Sequence, residues 1–163
     1  MAETVHLEHP FGPIYDKESR VLILGSFPSV ISRKKSFYYA NRANRFWKVM
    51  AEIYGEEITD PVSFVHDHHI ALWDVIASCT ITGSSDASIR DVIVNDIEGL
   101  VRNTNIKTVF TTGAKAAQLY EQYVVCSKEH LALPSTSGAN ARMKLDDLVK
   151  AYTIIKEKTD EKN

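Results

Sequence analysis

Features typical of several protein classes are missing from this chain of 163 residues. No apolar run approaches the roughly 18 to 20 residues that a transmembrane helix requires, and no basic patch followed by an apolar stretch opens the chain as a secretory signal would. Two cysteines, Cys79 and Cys126, exclude a disulfide scaffold and are typical of a reducing cytosol. Seven glycines and five prolines exclude collagen-like and low-complexity chains. We therefore expect a cytoplasmic globular protein with no membrane association.

The composition is that of a folded domain. Hydrophobic residues make up 44% and charged residues 25%, which are ordinary values for a chain that buries a core. The length suits one domain, and neither an internal repeat nor a linker interrupts it. We predict a single domain over residues 1–163, with about ten N-terminal and about eight C-terminal residues frayed.

Acidic residues are absent from two stretches, although the net charge is −2. Between Glu18 and Glu52 every charged side chain is basic, and the acid-free stretch His130–Leu145 carries Arg142 and Lys144. A locally basic face suits a phosphate backbone, but a run of like charge is also typical of a solvated helix surface. Nucleic-acid binding is therefore a hypothesis that depends on the fold bringing the two stretches together.

Short apolar runs bounded by polar or turn residues predict four buried strands: Arg20–Leu24, Ile70–Trp73, Lys107–Thr111 and His130–Leu133. Apolar residues at helical spacing predict helices between and after them: Asn44–Tyr54, Asp60–Asp67, Asn95–Asn103, Gly113–Tyr123 and Lys144–Lys156. This alternation predicts a three-layer α/β/α fold with a central, mostly parallel four-stranded sheet. In such a sheet, ligands bind beyond the carboxyl ends of the strands.

The segment after the first predicted strand reads Gly25-Ser26-Phe27-Pro28. Gly25 lets a ligand approach the backbone, whose successive N–H groups can hold an oxygen atom. The Lys-Ser/Thr ending of a phosphate-binding P-loop and the Gly-x-Ser-x-Gly elbow of a hydrolase are both missing. A structural turn therefore explains this segment at least as well as a binding site does.

Two further segments lie on the same side of the predicted sheet. In the run Tyr38–Trp47, aromatic residues flank a polar stretch that contains Asn41 and Asn44. An asparagine amide can read a base edge or hold a water, although Asn44 could equally be a plain helix N-cap. The run Leu133–Asn140 is rich in small hydroxyl residues that could pack against a sugar–phosphate chain, and it also fits an ordinary Ser/Gly turn.

Taken together, these segments resemble the uracil-DNA glycosylase superfamily, which pairs a Gly-x-x-Pro loop after the first strand with a Pro-Ser loop after the last. The closest resemblance is to its hypoxanthine-DNA (deoxyinosine) glycosylase branch, over about residues 11–149. It is carried by Gly25-Ser26-Phe27-Pro28, the Tyr-Tyr…Asn-x-Phe-Trp run from Tyr38 to Trp47, Ala71-Leu72-Trp73-Asp74-Val75, and Leu133-Pro134-Ser135-Thr136-Ser137 with Asn140. The resemblance implies a monomeric enzyme that excises a deaminated base from DNA without a cofactor or metal.

Two departures from the uracil-excising branches bear on the substrate. Phe27 stands where those branches have Asp or Asn, and Leu133 stands where they often have His or Asn. These loops therefore lack both the carboxylate that activates water and the histidine that polarises a uracil carbonyl. A purine such as hypoxanthine can leave after ring protonation and needs less help at a carbonyl. Hypoxanthine is therefore the expected base.

The resemblance also implies roles for individual residues. Asn44 would be catalytic, positioning the base or the attacking water. The base pocket would comprise Gly25, Ser26, Phe27, Pro28, Tyr39, Asn41 and Asp74, with the Phe27 ring stacked on a flipped base. The DNA-binding residues would be Arg42, Arg45, Pro134, Ser135, Thr136, Ser137, Asn140 and Arg142. The acid-free basic stretches add Arg33, Lys34, Lys35 and Lys144 as expected phosphate contacts.

Two alternative functions remain open at this point. One is a uracil- or mismatch-specific DNA glycosylase, and the other is a non-catalytic nucleic-acid-binding module on the same fold. Asp86 and Ser88 resemble a feature of the hypoxanthine branch but are equally explained by helix capping. The cluster of His66, His68 and His69 lacks the acid or cysteine spacing of a metal site, so no metal is expected.

Overall fold

The structure is a computed structural model that describes residues 3–83 and 85–161, without the side chain of Asp86. In these ranges the strands are β1 (Thr4–Glu8), β2 (Val21–Gly25), β3 (Ile70–Asp74), β4 (Ile76–Thr82), β5 (Arg90–Val94), β6 (Thr108–Thr112) and β7 (Glu129–Leu133). The helices are α1 (Val30–Lys35), α2 (Phe46–Tyr54), α3 (Pro61–Asp67), α4 (Ile97–Arg102), α5 (Ala114–Tyr123) and α6 (Leu145–Asp160), with a 3₁₀ turn at Asp86–Ser88.

The four strands predicted from apolar runs form one parallel sheet in the order β3-β2-β6-β7. All five residues of β2 are buried, as expected for a central strand covered on both faces. The register pairs Gly25 with Asp74 and Thr112 with Leu133, so the carboxyl ends of these strands lie along one edge. This edge is where a ligand site is expected in a parallel sheet.

Side chains of β2 alternate between the two faces of this sheet, as the pleat of a strand requires. Val21 and Ile23 pack into a core with residues of α2, α3 and α6. Leu22 and Leu24 pack into a second core with residues of α4 and α5. Helices thus cover both faces, which confirms the predicted three-layer α/β/α architecture.

A second, antiparallel sheet of order β1-β4-β5 was not predicted. Its inner strand β4 contributes Ile76, Cys79 and Ile81 to the second core. The sequence signal was weak because β1 turns only Val5 and Leu7 away from solvent, while β5 begins with two charged residues. Pairing with β4, rather than an apolar run of their own, therefore defines these strands.

Both ends of the described chain are more ordered than predicted. The segment Thr4–Glu8 was expected to fray, but it pairs residue by residue with Ser78–Thr82 of β4. At the other end α6 continues to Asp160 because Thr159 is buried and its carbonyl accepts a 2.6 Å hydrogen bond from Arg20. Within residues 3–83 and 85–161, no helix combines the length and apolar character that crossing a membrane would need.

The histidines near the end of α3 bind separate acidic partners. His66 Nδ1 lies 3.0 Å from a carboxylate oxygen of Asp16, and His68 Nε2 lies 3.1 Å from one of Glu56. In the part of the chain that the structure describes, no group of three or more His, Cys, Asp or Glu side chains is arranged to hold a metal ion. These histidines therefore serve as local links between loops and α3.

We expect Gly25→Ala to destabilise the protein because the β2–β3 register leaves no space for a methyl group. A Cβ at Gly25 would lie 2.6 Å from Oδ1 of the buried Asp74 side chain. Overpacking of this kind lowers the free energy of unfolding by about 1–3 kcal/mol. Urea unfolding should show a lower midpoint for Gly25→Ala than for the matched control Gly12→Ala, where a Cβ meets nothing within 4 Å. Equal midpoints for the two variants would contradict the close approach.

Candidate active site

A cleft of about 360 Å³ opens at the carboxyl edge of the parallel sheet, a volume within the usual range for small-molecule sites. All residues predicted for the base pocket line it: Gly25, Ser26, Phe27, Pro28, Tyr39, Asn41 and Asp74. Asn44 and three members of the predicted DNA-binding loop, Ser135, Thr136 and Ser137, line it as well. The fold therefore brings together segments that are far apart in the sequence.

The loop after β2 is held in place through its backbone. The carbonyls of Gly25 and Ser26 accept hydrogen bonds from Val75 (2.8 Å) and Ile76 (3.1 Å), which ties the loop to the β3–β4 junction. This backbone pairing leaves the half-buried Phe27 ring in the cleft wall. The segment is therefore both a structural turn and a cleft wall, so the two interpretations of its sequence are compatible.

Arg33, predicted to support DNA binding, holds this loop from behind. Its guanidinium donates to the carbonyls of Pro28 (3.2 Å) and Gly83 (2.9 Å). The same group lies 5.8 Å from the centre of the Phe27 ring, within range of a cation–π contact. Burial lowers the pKa of Arg33 from its ordinary value, which agrees with an internal position.

Tyr39 forms part of the aromatic wall of the cleft. Its backbone lies in the left-handed region, with φ of 54°, and its ring stacks on Phe46 with ring centres 3.9 Å apart. The hydroxyl lies 3.4 Å from Thr112 Oγ1. Burial raises the pKa of Tyr39 well above its ordinary value, so the phenol is neutral and can act only through hydrogen bonding.

Asn44 lies one residue before the Arg45 N-cap of α2 and also lines the cleft. Its Oδ1 accepts hydrogen bonds from the Phe46 backbone N–H (2.9 Å) and the Thr136 hydroxyl (2.8 Å). Among the described residues, none accepts a hydrogen bond from its Nδ2. The side chain is therefore fixed through its oxygen, and its NH₂ group is the part left for a ligand.

Thr136 and Arg45, both predicted to contact DNA, make hydrogen bonds within the protein. Thr136 is 1% exposed, and its hydroxyl is used to orient Asn44. The Arg45 guanidinium donates to the carbonyls of Ser137 (2.9 Å), Asn140 (3.0 Å) and Met143. A half-buried arginine is compatible with this site because several carbonyl dipoles face it. Arg45 therefore holds the loop after β7 against the start of α2.

The rest of that loop is also held from within the protein. The Asn140 amide, predicted to contact DNA, donates to the carbonyl of Ser135 at 3.0 Å. The Pro134 carbonyl accepts a hydrogen bond from the Tyr152 hydroxyl, and Ser137 N–H donates to Ser135 Oγ at 3.1 Å. Side chains thus satisfy the carbonyls of the loop and keep it in one conformation beside the cleft.

The other basic residues predicted to contact DNA are exposed: Lys34, Lys35, Arg42, Arg142 and Lys144. Arg42 lies between two cleft-lining residues, Asn41 and Ala43. With Arg33 and Arg45 used internally, these five cations form the basic set that remains for a phosphate backbone. We call them the basic rim.

A buried, hydrogen-bonded pair of side chains behind the cleft was not predicted from the sequence. Asp74, in the cleft wall, has its Oδ2 2.8 Å from Nε2 of His9, and both side chains are about 95% buried. His9 follows β1 in the segment predicted to fray, so no sequence pattern pointed to it. Thr112 was also missed, although the rule that ligands bind at strand carboxyl ends would have found it.

The turn before β5 contains the Asp86 and Ser88 pair. The Ser88 hydroxyl donates to the Ser85 carbonyl at 2.7 Å and accepts from the Thr82 N–H at 2.8 Å. Ser88 therefore stabilises this turn through its hydroxyl. Ser84 and the side chain of Asp86 lie outside the described residues.

Comparison with known proteins places this architecture in a family. A family model described as the uracil DNA glycosylase superfamily matches residues 13–156. Hypoxanthine DNA glycosylase of Methanosarcina acetivorans is 32% identical over 142 residues, which cover 83% of this chain and 90% of that protein. The protein of the same name from Methanosarcina barkeri is 31% identical over 138 residues, which cover 81% of this chain and 87% of that protein.

A solved structure shares the whole fold. A solution NMR structure from Methanosarcina acetivorans, described as that of a candidate uracil DNA glycosylase, matches with a TM-score of 0.82 and 28% sequence identity. The match covers 96% of this chain and 100% of the other. The chain belongs to the uracil DNA glycosylase superfamily.

Proposed function

We propose that this protein is a DNA glycosylase that hydrolyses the N-glycosidic bond of a deaminated base, with hypoxanthine as its main substrate. The observation that carries the proposal is a single cleft with an aromatic ring, an oriented Asn44 amide and a hydroxyl-rich loop at the sheet edge. Two relatives named hypoxanthine DNA glycosylase, each aligned over more than four fifths of this chain, support this choice of base.

In this proposal the cleft receives a nucleotide that has turned out of the duplex. The Phe27 ring stacks on the base, a contact worth about 1–3 kcal/mol per base in nucleic-acid sites. The loop Ser135–Ala139 and the basic rim hold the strand on either side of that nucleotide. The bound base is thereby kept away from its neighbours in the duplex, which preorganises it for attack.

The reaction breaks the C1′–N9 bond, and the bonding electron pair leaves with the base. The oxygen of a water molecule bonds to C1′ as that water loses a proton, and the departing hypoxanthine takes up one proton at a ring nitrogen. The NH₂ group of Asn44 would donate to O6, where negative charge develops as the bond breaks. Tyr39 cannot act as a base because burial keeps its phenol protonated. Positioning and hydrogen bonding therefore supply the catalysis in this proposal.

We expect the protein to excise hypoxanthine from a duplex that contains one deoxyinosine. The test compares matched duplexes with inosine, xanthine, uracil or adenine at one position, each followed by alkali to cleave abasic sites. A break at inosine supports the proposal, with adenine as the undamaged control. A break at uracil alone would assign the protein to the uracil-excising type. Binding without a break on any substrate would indicate a non-catalytic module.

We expect Asn44→Ala to reduce the rate of excision on the order of 10²-fold, because it removes a donor aimed at the developing charge. Asn44→Asp is the matched control, since a carboxylate retains the hydrogen bonds accepted from Phe46 and Thr136 but lacks the NH₂ group. Single-turnover rates should fall in both variants, while the thermal midpoint of Asn44→Asp stays near that of the wild type. Full activity in Asn44→Asp would show that Asn44 is only a helix cap.

We expect Lys34→Gln/Lys35→Gln to weaken binding to all duplexes alike and to flatten the dependence of affinity on salt. Each lost phosphate contact lowers the log–log slope by about 0.9 for duplex DNA. The matched control is Lys17→Gln/Lys107→Gln, which removes the same charge from exposed residues before β2 and β6, at the amino end of the sheet. Fluorescence anisotropy titrations at several salt concentrations provide both slopes. An unchanged slope in the Lys34/Lys35 variant would exclude these lysines from the interface.

A further inference from the structure

The carboxylate of Asp74 is held from behind the cleft by a histidine from the N-terminal segment. Asp74 Oδ2 lies 2.8 Å from His9 Nε2, and the two side chains are 5% and 6% exposed. The His9 backbone N–H donates to the Ala77 carbonyl at 2.7 Å, which anchors this segment to β4. The pair is therefore part of the folded core and not a surface contact.

The surroundings of His9 determine which of its nitrogens carries the proton. Its Nδ1 accepts a hydrogen bond from the Phe11 backbone N–H at 3.4 Å, so the proton of the neutral ring is on Nε2, facing Asp74. The rings of Phe11, Phe27 and Tyr38 surround the imidazole with centre-to-centre distances of 4.8, 5.8 and 6.1 Å. His9 thus donates to Asp74 in one fixed orientation.

The other carboxylate oxygen of Asp74 faces the groups that line the cleft. Oδ1 lies 2.6 Å from the point where a Cβ of Gly25 would stand, and that same point is 3.6 Å from Tyr39 Oη and 3.7 Å from Thr112 Oγ1. Within the described ranges, no residue donates a hydrogen bond to Oδ1. One oxygen is therefore occupied by His9, and the other is an acceptor left for a ligand in the cleft that Asp74 lines.

We infer that His9 is a positioning residue that fixes Asp74 as the hydrogen-bond acceptor for an N–H on the edge of the base. The inference rests on the proposed function. Hypoxanthine carries a hydrogen on N1 beside the O6 acceptor, whereas adenine has a lone pair on N1 and an amino group at C6. The Asp74 carboxylate and the Asn44 NH₂ group, which line the same cleft, supply an acceptor and a donor that match the first pattern and oppose the second. A binding site with a buried acceptor strongly rejects a base that lacks the matching donor, because the acceptor of the protein is then left unpaired.

This arrangement accounts for the discrimination that a hypoxanthine-excising enzyme must make. Adenine is the undamaged purine from which hypoxanthine arises, and stacking on Phe27 cannot distinguish the two because stacking is tolerant of base identity. Discrimination must therefore come from polar groups at the base edge. Asp74 and Asn44 are side chains of that kind in the cleft wall, and His9 determines the orientation of the first.

The test compares two substitutions of His9. His9→Phe keeps an aromatic ring among Phe11, Phe27 and Tyr38 but removes the donor, and His9→Gln restores an N–H of similar reach. We expect His9→Phe to lower single-turnover excision of hypoxanthine roughly tenfold or more, the scale of one lost charge-assisted hydrogen bond, and to narrow the hypoxanthine-to-adenine rate ratio. His9→Gln should recover most of the wild-type excision rate and most of the wild-type hypoxanthine-to-adenine rate ratio. Asp74→Asn, which adds a donor at the base edge, should narrow the ratio further.

Several results would overturn the inference. One is a folded His9→Phe variant that keeps the wild-type rate of hypoxanthine excision and the wild-type hypoxanthine-to-adenine rate ratio. Another is an equal loss of excision rate in His9→Phe and His9→Gln. A third is a loss of excision rate that leaves the hypoxanthine-to-adenine rate ratio unchanged. Circular dichroism and the thermal midpoint establish which variants are folded. If His9→Phe does not fold, the hypoxanthine-to-adenine rate ratios of His9→Gln and Asp74→Asn test the inference.

Binding separates this inference from the proposed function. A wild-type protein that excises no base would contradict the proposed function but not this inference. In that case the ratio of the affinities for deoxyinosine and deoxyadenosine duplexes is measured instead of the ratio of excision rates. A wild-type preference for deoxyinosine that is lost in His9→Phe and regained in His9→Gln supports the inference. Equal affinities of the wild type for both duplexes overturn it.

Discussion

Parallel pairing of β2 with both β3 and β6 determines where each wall of the cleft begins. Parallel strands end at the same edge of a sheet, so Gly25, Asp74 and Thr112 meet there although they come from three separate parts of the chain. The close approach of Gly25 to the Asp74 carboxylate depends on this register. A shift of one residue would turn the Asp74 side chain to the other face of the sheet, away from the cleft.

The loops around the cleft are held by side chains that donate to backbone carbonyls. Arg45 donates to three carbonyls in the loop after β7, Arg33 donates to carbonyls of two different loops, and Asn140 donates within its own loop. Each of these residues is of a type that could bind phosphate. Their use inside the protein explains how loops without regular structure keep one shape, which a site acting by positioning requires.

The cleft wall contains a carboxylate, although the first loop has none. Phe27 occupies the loop, and Asp74 stands at the end of β3 with His9 behind it. The antiparallel sheet has a direct bearing on this site because β1 delivers His9 and β4 anchors its backbone. The antiparallel sheet therefore positions a side chain behind the cleft, although none of its strands lines the cleft.

The sequence by itself determined the parallel sheet, the helices that cover it and many of the residues that line the cleft. Buried strands read as apolar runs, and strand ends at one edge follow from parallel pairing. Residue type alone could not separate Arg45 and Thr136, which are used internally, from the exposed Arg42 and Arg142, because the partners of Arg45 lie more than 90 residues away. The His9–Asp74 pair spans 65 residues, and its histidine lies in a segment whose order depends on pairing with β4. The hydrophobic pattern of the sequence indicates which residues of one strand or helix are buried. Only the tertiary structure decides which polar groups from distant elements come into contact.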